Sequence, residues 1–363
     1  MTGAKIDNKR KITYASAILE ALDESMKNDQ TVFIIGEGLP DPKHVFGTTK
    51  GLQDKYGKMR VLDMPLSENG VTGVCIGAAL QGMRPIIVHQ RIDFVLLSLD
   101  QIANNAAKWH YMFGGQMKIP LVVRTIIGRG WGQGTQHSQS LQALFAHIPG
   151  LKVVMPSTAY DAKGMLMASI KENNPVIFIE HRWLHSMEGY VPEEPYIVPI
   201  GEASILRKGT DVTIAATSYM VIEATIASGI LEKAGISAEL IDIRTIKPLD
   251  YGKIIASVRK TGHLLVADTG YCTAGIAGDV IARVCEESFK DLKTAPRRIT
   301  SPDMPTPSTP ELAKHYYPTH IDIAYAAADM LGKHDKIQEL LRDEKQKKPK
   351  HLDVPDKSFT GPF

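Results

Sequence analysis

The stretch that decides the fold is "RPIIVHQRIDFVLLSLDQIANNAAKWHYMFGGQMKIPLVVRTIIG" (84–128). It begins with an apolar run (84–89), continues through a helical pattern (95–112) and ends in a second apolar run (119–128). Both runs are almost continuously apolar, which is typical of strands covered on both faces of a parallel sheet. A strand, a helix and a further strand in this order predict one unit of a doubly wound α/β sheet.

The same alternation extends over most of the chain. Further apolar runs predict strands at 31–36, 151–156, 174–181, 211–217, 237–244 and 263–269. Helical patterns lie at 13–28, 69–82, 158–173, 219–234, 250–260, 275–288 and 320–343. We predict two doubly wound α/β domains with mostly parallel sheets, at 1–187 and 201–341. A linker rich in Pro, Gly and acidic residues (188–200) joins them, and a charged surface tail (342–363) follows.

Composition and charge exclude several classes of protein. The 363 residues are 44% hydrophobic and 23% charged, as in a soluble globular protein. A net charge of +2 gives no support for binding to nucleic acid or to a membrane surface. The three cysteines (Cys75, Cys272 and Cys285) are widely spaced, and no metal-ligand spacing is present. The polar start and the lack of a long apolar run predict a cytoplasmic protein without a membrane span.

A single acidic residue stands at an unusually apolar place in "MPLSENGVTG" (64–73). Ser67 is a candidate N-cap, so Glu68 would open the following helix. That helix, "GVTGVCIGAALQG" (70–82), carries no charge, and we expect it to be buried. The pattern allows two interpretations of Glu68. It either complements the helix dipole, or it is a desolvated carboxylate that needs a partner such as a ligand.

Two more candidate residues follow predicted strands. Phe94 comes shortly after the strand at 84–89, where an aromatic ring either joins the core or packs on a planar ligand. His137 lies in the glycine-rich stretch "GRGWGQGTQHSQS" (128–140), at the carboxyl end of a predicted strand, where doubly wound sheets bind ligands. A histidine in such a loop is either a plain surface residue or a group that moves protons near neutral pH.

Several motifs in order carry a family resemblance. They are "SENG", "DQIANNAAK", "GTQHSQS", "NNPVIFIEHR" and "DIRTIKPLD". Together they resemble the β subunits of thiamine-diphosphate-dependent 2-oxo acid dehydrogenases (pyruvate, branched-chain and acetoin types). They are also similar to the C-terminal half of transketolases. The resemblance covers nearly 10–330. It implies a pyrimidine-binding N-terminal domain and a transketolase-type C-terminal domain.

The resemblance also implies roles for individual residues. Glu68 matches the acid that hydrogen-bonds a pyrimidine nitrogen of thiamine diphosphate and thereby favours the reactive tautomer of the cofactor. Phe94 matches the residue whose ring packs on the pyrimidine. His137 matches the histidine that faces the reacting end of the cofactor, where it binds substrate or moves protons. Glu37, in "GEG", matches a further acid near the cofactor.

The motifs missing from the chain point to a partner. In the family, a "GDG…N" motif binds the diphosphate and magnesium. No GDG occurs in this sequence. The resemblance therefore implies an α subunit that holds this half of the site, typically in an α2β2 assembly, with a 2-oxo acid as substrate. A lipoyl-bearing acyltransferase is the usual acyl acceptor. A structural potassium ion, bound by carbonyls near "SIKENNP" (169–175), is found in some members.

The run "VHQRIDF" (88–94) departs from the family pattern, and so does Trp131 in the glycine-rich loop. Arg91 is compatible with an anionic acyl donor or acceptor, or with an interface salt bridge. These departures leave a second hypothesis open, namely transketolase-like or acyloin-type carbon–carbon transfer without a lipoyl acceptor. A third hypothesis, a non-catalytic regulatory subunit, requires degenerate pocket residues, and the motifs are intact.

Overall fold

The computed structural model describes residues 10–347, except residues 42, 44 and 129–131. The strands are β1 (Lys11–Thr13), β2 (Val32–Gly36), β3 (Val61–Asp63), β4 (Arg84–His89), β5 (Val122–Ile127), β6 (Lys152–Val154), β7 (Val176–His181), β8 (Glu188–Tyr190), β9 (Ser204–Arg207), β10 (Val212–Ala216), β11 (Ala238–Asp242), β12 (Thr245–Lys247), β13 (Leu264–Tyr271) and β14 (Arg297–Ser301).

The helices alternate with these strands. They are α1 (Tyr14–Asn28), α2 (Leu52–Tyr56), α3 (Glu68–Leu80), α4 (Ile92–Val95), α5 (Ala107–Met112), α6 (Gln142–His147), α7 (Ala159–Lys171), α8 (Met220–Lys233), α9 (Tyr251–Thr261), α10 (Ile276–Ser288), α11 (Pro310–Tyr316), α12 (His320–Met330) and α13 (His334–Lys347). In the described part of the chain, no helix is both long enough and apolar enough to cross a bilayer.

The two large sheets are mostly parallel as predicted, and a small antiparallel sheet of β1 and β8 accompanies them. The first has the strand order β12-β6-β7-β5-β4-β2-β3, and only its edge strand β12 runs antiparallel to its neighbour. The second has the order β14-β13-β10-β11-β9, and only β9 is antiparallel. One hydrophobic cluster contains residues of both sheets, so a single core joins the two halves of the chain.

The sequence did not predict the short strands. β14, with the sequence RRITS, has no apolar run, and β12 is formed by three residues that pair with a strand far away in the chain. The region 188–200 also begins with a strand, because β8 pairs antiparallel with β1 through Lys11–Tyr190 and Thr13–Glu188. These strands could not be recognised from the sequence, because their residues are charged or rich in Pro and Gly and become strands only by pairing with distant segments.

The helix predicted at 95–112 is wrong as a single element. The chain forms α4, a 3₁₀ turn (Leu96–Ser98), a π-helical segment (Gln101–Ala106) and then α5. Because turns of different width present different faces, Ile102 of the π-helical segment is fully buried, whereas Leu96 of the 3₁₀ turn is partly exposed.

The C-terminal predictions also need correction. The helix predicted at 320–343 is divided into α12 and α13, because Gly332 adopts a left-handed conformation (φ 65°) that ends α12. Residues 342–347, assigned to the charged tail, continue α13. The rest of that tail, 348–363, lies outside the described residues.

Candidate active site

The candidate residues come together where parallel strands of the first sheet end. β2 is followed directly by Glu37, β4 leads through Arg91 to Phe94, and β5 leads into the glycine-rich loop. Strands that run in parallel place their carboxyl ends at one edge of the sheet, where doubly wound folds bind ligands. The topology thus gathers residues that are distant in the sequence.

Glu68 opens α3, as predicted, and only 7% of its surface is exposed. Its carboxylate has neither a hydrogen bond nor an ion pair within the described part of the chain. Ser67 occupies the N-cap position, as predicted, although its side chain makes no capping hydrogen bond. A buried carboxylate without a partner is costly in free energy, and a bound ligand can supply the missing donor.

The prediction that α3 is buried is only half right. Cys75, Ile76 and Ala79 face the core, whereas Val74 is 65% exposed. The glycines of α3 approach no other backbone within the described chain. The side of α3 that carries Val74 is therefore uncharged although it does not face the core of this chain.

Glu37 lies close to Glu68 and forms an acidic group with it. Burial raises the pKa of Glu37, and repulsion from the carboxylates of Glu68 and Asp63 raises that pKa further. Oε1 of Glu37 is buried without a hydrogen-bond partner. Asp63 is held in place because its Oδ1 accepts a 2.9 Å hydrogen bond from the backbone N–H of Gly38. Two acids with unsatisfied oxygens thus lie side by side, which fits a ligand that presents hydrogen-bond donors.

Phe94 and His137 line one cavity of about 450 Å³. Their rings meet edge to face, with centroids 5.3 Å apart and an interplanar angle of 89°. Glu37 and Glu68 do not line this cavity. Gln90 connects the two groups, because it lines the cavity while its amide donates a 3.0 Å hydrogen bond to the carbonyl of Glu37.

Two hydrogen bonds hold the part of the loop around His137. The backbone N–H of His137 donates to the carbonyl of Gly134 (3.2 Å), and Gln139 donates to Oδ1 of Asp93 (2.7 Å). Gly128 has φ +96°, and a Cβ there would lie 2.6 Å from the His181 ring, so only glycine fits this close approach. Trp131, singled out in the sequence, lies outside the described residues.

Arg91 lines the same cavity and is 3% exposed. Its guanidinium donates to the carbonyl of Gly128 (2.9 Å) and to the side chain of Gln133. Sequence reasoning noted Arg91 but missed Gln90, Gln133 and Gln139, since a lone glutamine beside a strand end carries no recognisable pattern.

The residues at 169–175 do not fit a potassium ion. The carbonyls of Ile170 and Glu172 each accept a 2.9 Å hydrogen bond from Nη1 of Arg84. The side chain of Asn173 accepts another from Arg84 (3.1 Å), and its carbonyl accepts one from Ile119 (2.9 Å). A guanidinium cation therefore already occupies this group of oxygens. Elsewhere in the described chain, no three His, Cys, Asp or Glu residues are grouped as metal ligands.

The sequence matches two family models. "Transketolase, pyrimidine binding domain" matches residues 10–186, and "Transketolase, C-terminal domain" matches residues 201–323. Among solved structures, a split-gene transketolase, described as an inactive β4 tetramer, aligns with a TM-score of 0.74. It is 23% identical and covers 89% of this chain and 99% of that chain, a likeness that shows the fold alone.

Curated relatives are similar over almost their whole length. The β subunit of acetoin:2,6-dichlorophenolindophenol oxidoreductase from Cupriavidus necator is 45% identical over 90% of this chain and 99% of its own. The β subunit of the pyruvate dehydrogenase E1 component from Bacillus subtilis is 39% identical over 88% and 98%. The chain therefore belongs to the transketolase-related family of β subunits of thiamine-diphosphate-dependent 2-oxo acid dehydrogenases.

Proposed function

We propose that this chain is the β subunit of a two-chain enzyme that decarboxylates a 2-oxo acid and transfers the resulting acyl group. Thiamine diphosphate would be shared with an α subunit. The observation that carries the proposal is Glu68, a 7% exposed carboxylate without a partner at the first position of an uncharged helix. The relatives of this chain include β subunits of pyruvate dehydrogenase and of acetoin oxidoreductase.

The acids fit the aminopyrimidine end of the cofactor. When bound, thiamine diphosphate supplies the electron sink that bond cleavage next to a ketone requires. Glu68 would share a proton with a pyrimidine nitrogen, in a place dry enough to strengthen that hydrogen bond. Glu37, whose pKa is raised by burial and by its acidic neighbours, would lie beside Glu68 at the same end of the cofactor.

The aromatic pair would serve the other side of the site. Phe94 would pack on the planar pyrimidine, with its ring held by the edge contact to His137. His137 would bind the substrate or move a proton at the reacting carbon. The loop hydrogen bonds at Gly134 and Gln139 keep this histidine at the cavity and reduce the reorganisation that catalysis requires.

A partner chain would complete the site. Because no GDG motif occurs in this sequence, we expect the α subunit to hold the diphosphate and magnesium, in an α2β2 assembly. The exposed apolar residues Leu66 (83%) and Val74 (65%), beside and within α3, support a contact surface next to Glu68. Potassium at 169–175 is not part of this proposal, because Arg84 occupies those carbonyls. We further expect the assembly to be cytoplasmic.

A lipoyl-bearing acyltransferase is the acyl acceptor that we propose. Transketolase-like or acyloin-type transfer remains the second candidate, supported by the Arg91 side chain in the cavity. Incubating the assembled enzyme with substrate and an isolated lipoyl domain separates the two. Acylation of the lipoyl group supports the first, whereas carbon–carbon transfer to an added aldehyde without lipoyl acylation supports the second.

The central test is the Glu68→Gln variant, assembled with the α subunit. We expect turnover of 2-oxo acids to fall by at least about 100-fold and binding of thiamine diphosphate, measured by calorimetry, to weaken. The matched control is Asp54→Asn, which removes an exposed acid from the first turn of another helix and should change neither measurement. Full turnover and unchanged cofactor binding in Glu68→Gln would contradict the assigned role.

A further inference from the structure

We propose that Arg91 binds a second, non-reacting anionic group of the substrate, so that the enzyme prefers a 2-oxo acid with a further carboxylate or phosphate. The inference rests on the proposed function, because it specifies the substrate class of the same site. It starts from the cavity that Phe94 and His137 line, in which Arg91 and Lys43 are also found.

Arg91 is a buried cation whose hydrogen-bond partners are neutral. It donates to the carbonyl of Gly128 and to the side chain of Gln133, and it has no ion pair with a carboxylate of the described residues. Burial lowers its pKa to about 10. A desolvated charge with no opposite charge in contact is unfavourable, and a ligand anion at the cavity would relieve that penalty.

A second guanidinium adds to the positive potential. Arg182 lies over the ring of Phe46 at 4.3 Å, and Arg91 lies 5.9 Å from the centroid of the same ring. Burial lowers the pKa of Arg182 to about 10, and repulsion from Arg91 contributes to that decrease. Phe46 itself lines the cavity. The two buried cations therefore face one aromatic wall, and an anion placed there would reduce their mutual repulsion.

The nearby carboxylates do not cancel this charge. Asp93 attracts Arg91 at a distance, but its Oδ1 is taken by Gln139, and burial raises the pKa of Asp93. Asp41 lines the cavity, yet it is exposed, so its charge is screened by solvent. Lys43, also exposed, adds a positive charge at the same cavity.

The chemistry of decarboxylation decides which anionic group Arg91 would bind. The carboxylate beside the ketone leaves as carbon dioxide, and its negative charge passes to the rest of the substrate. A strong ion pair with that carboxylate would stabilise the ground state more than the transition state and slow the reaction. An ion pair with a second anionic group is present in both states and adds binding without this penalty. We therefore assign Arg91 to the second anionic group, which remains on the substrate after decarboxylation.

A purely structural role gives a different expectation. If Arg91 only ties the glycine-rich loop through Gly128 and Gln133, its removal would impair the reaction of all substrates alike. The measurement that separates the two roles is the ratio of kcat/KM values for 2-oxoglutarate and 2-oxopentanoate. These compounds share the reacting group and the chain length but differ in the second carboxylate.

The experiment uses the assembled complex with its α subunit. For Arg91→Gln we expect the 2-oxoglutarate preference to fall about 10-fold or more, as for the loss of a charge-assisted hydrogen bond. Arg91→Lys should retain part of the preference for 2-oxoglutarate. 2-Oxo-4-phosphonobutanoate, tested in parallel, shows whether carboxylate or phosphate is preferred. Arg60→Gln is the matched control, since Arg60 also donates to backbone carbonyls but contributes nothing to the cavity.

A second measurement does not depend on turnover. Calorimetry should detect glutarate binding to the wild-type complex and to Arg60→Gln but not to Arg91→Gln. A wild-type enzyme that prefers 2-oxopentanoate, or an unchanged ratio in Arg91→Gln, would overturn the proposal. If the complex neither binds thiamine diphosphate nor turns over any 2-oxo acid, the proposed function fails instead. Glutarate binding then still decides whether Arg91 forms an anion site.

Discussion

Arg124 and Glu180, both fully buried in neighbouring strands of the first sheet, form an ion pair in its core. Glu180 also accepts a 2.9 Å hydrogen bond from His185, and Arg124 donates to the hydroxyl of Thr48 (2.6 Å). Burial alone would raise the pKa of Glu180, but Arg124 and His185 outweigh it and hold that pKa below its ordinary value.

Glu180→Gln should destabilise the protein by about 3–5 kcal/mol, because it leaves the Arg124 charge buried and unpaired. Since the folded pKa of Glu180 is lowered, its stabilising contribution is present at neutral pH and disappears as the pH falls through that value. Urea unfolding at neutral and acidic pH measures both effects. Glu232→Gln, which breaks an exposed pair with Arg207, is the control and should leave the unfolding midpoint unchanged.

Arg84 provides a second test at the level of a single residue. Because its guanidinium already binds the carbonyls of Ile170 and Glu172, thermal unfolding of the wild type should be the same in potassium and sodium chloride. Arg84→Met should lower the stability by about 1–3 kcal/mol by leaving these carbonyls without donors. A potassium-specific rise in the wild-type Tm would contradict the assignment of this cluster to Arg84.

For single residues, the sequence predicted which side chains belong to the candidate site better than it predicted which side chains contact each other there. Glu68 was placed correctly at the first position of α3, because the loss of charge after it is visible in the sequence. The acidic neighbour that raises the pKa of Glu37 and the edge contact of Phe94 with His137 depend on strand order. The functional roles of Glu37, Glu68, Phe94 and His137 stay predictions until the variants are measured.

Among the elements, the connection between α6 and β6 depends on one glycine, which packs against the start of α5. Gly150 has φ +98°, and a Cβ there would lie 1.9 Å from the carbonyl oxygen of Ala107. Gly150→Ala should therefore destabilise the protein by about 2–3 kcal/mol, since backbone rather than a flexible side chain opposes the added atom.

Gly229 in α8 is the matched control for this prediction. It has a helical conformation, and nothing lies within 4 Å of a Cβ built on it. Gly229→Ala should stabilise the protein by about 0.5–1 kcal/mol, because alanine loses less backbone entropy in a helix. Chemical denaturation of both variants gives the comparison, and equal effects would show that the Ala107 contact is unimportant.

Elements with a strong apolar signal were predictable, and elements made by pairing were not. The runs at 84–89 and 174–181 became β4 and β7 almost residue for residue, since strands covered on both faces must be apolar. β12 and β14 are short or charged and exist because a neighbouring strand offers hydrogen bonds. The helix predicted at 95–112 is divided where it packs against α3, and the hydroxyl of Thr72 in α3 donates to the hydroxyl of Ser98 there.

For the whole molecule, a buried polar network joins the two sheets. Ser157 donates to Asp242, whose Oδ1 accepts from the backbone N–H of Arg244 (3.1 Å), and Arg244 pairs with Asp161 at 2.7 Å. Burial, assisted by repulsion from Asp161, raises the pKa of Asp242 to about 7. The folded protein therefore prefers this carboxyl group to be protonated.

The stability contributed by protonated Asp242 is complete below its unfolded pKa, about 4, and is lost as the pH rises through about 7. Asp242→Asn imitates the protonated form and should remove this dependence. The free energy of unfolding of the wild type relative to Asp242→Asn should thus decrease from pH 5 to pH 7.5. A constant difference over that range would show that Asp242 is ionised throughout.

β12 makes the completion of the first sheet depend on the second half of the chain. It lies in the sequence after β11 of the second sheet, yet it pairs with β6 at the edge of the first. During synthesis the first half leaves the ribosome before β12 does. Until β12 has been made, the backbone groups at the outer edge of β6 lack hydrogen-bond partners and can pair with other chains. Recombination at the boundary between the halves would separate a strand from the sheet it protects. Replacing one half by that of another protein would therefore expose this edge of the first sheet.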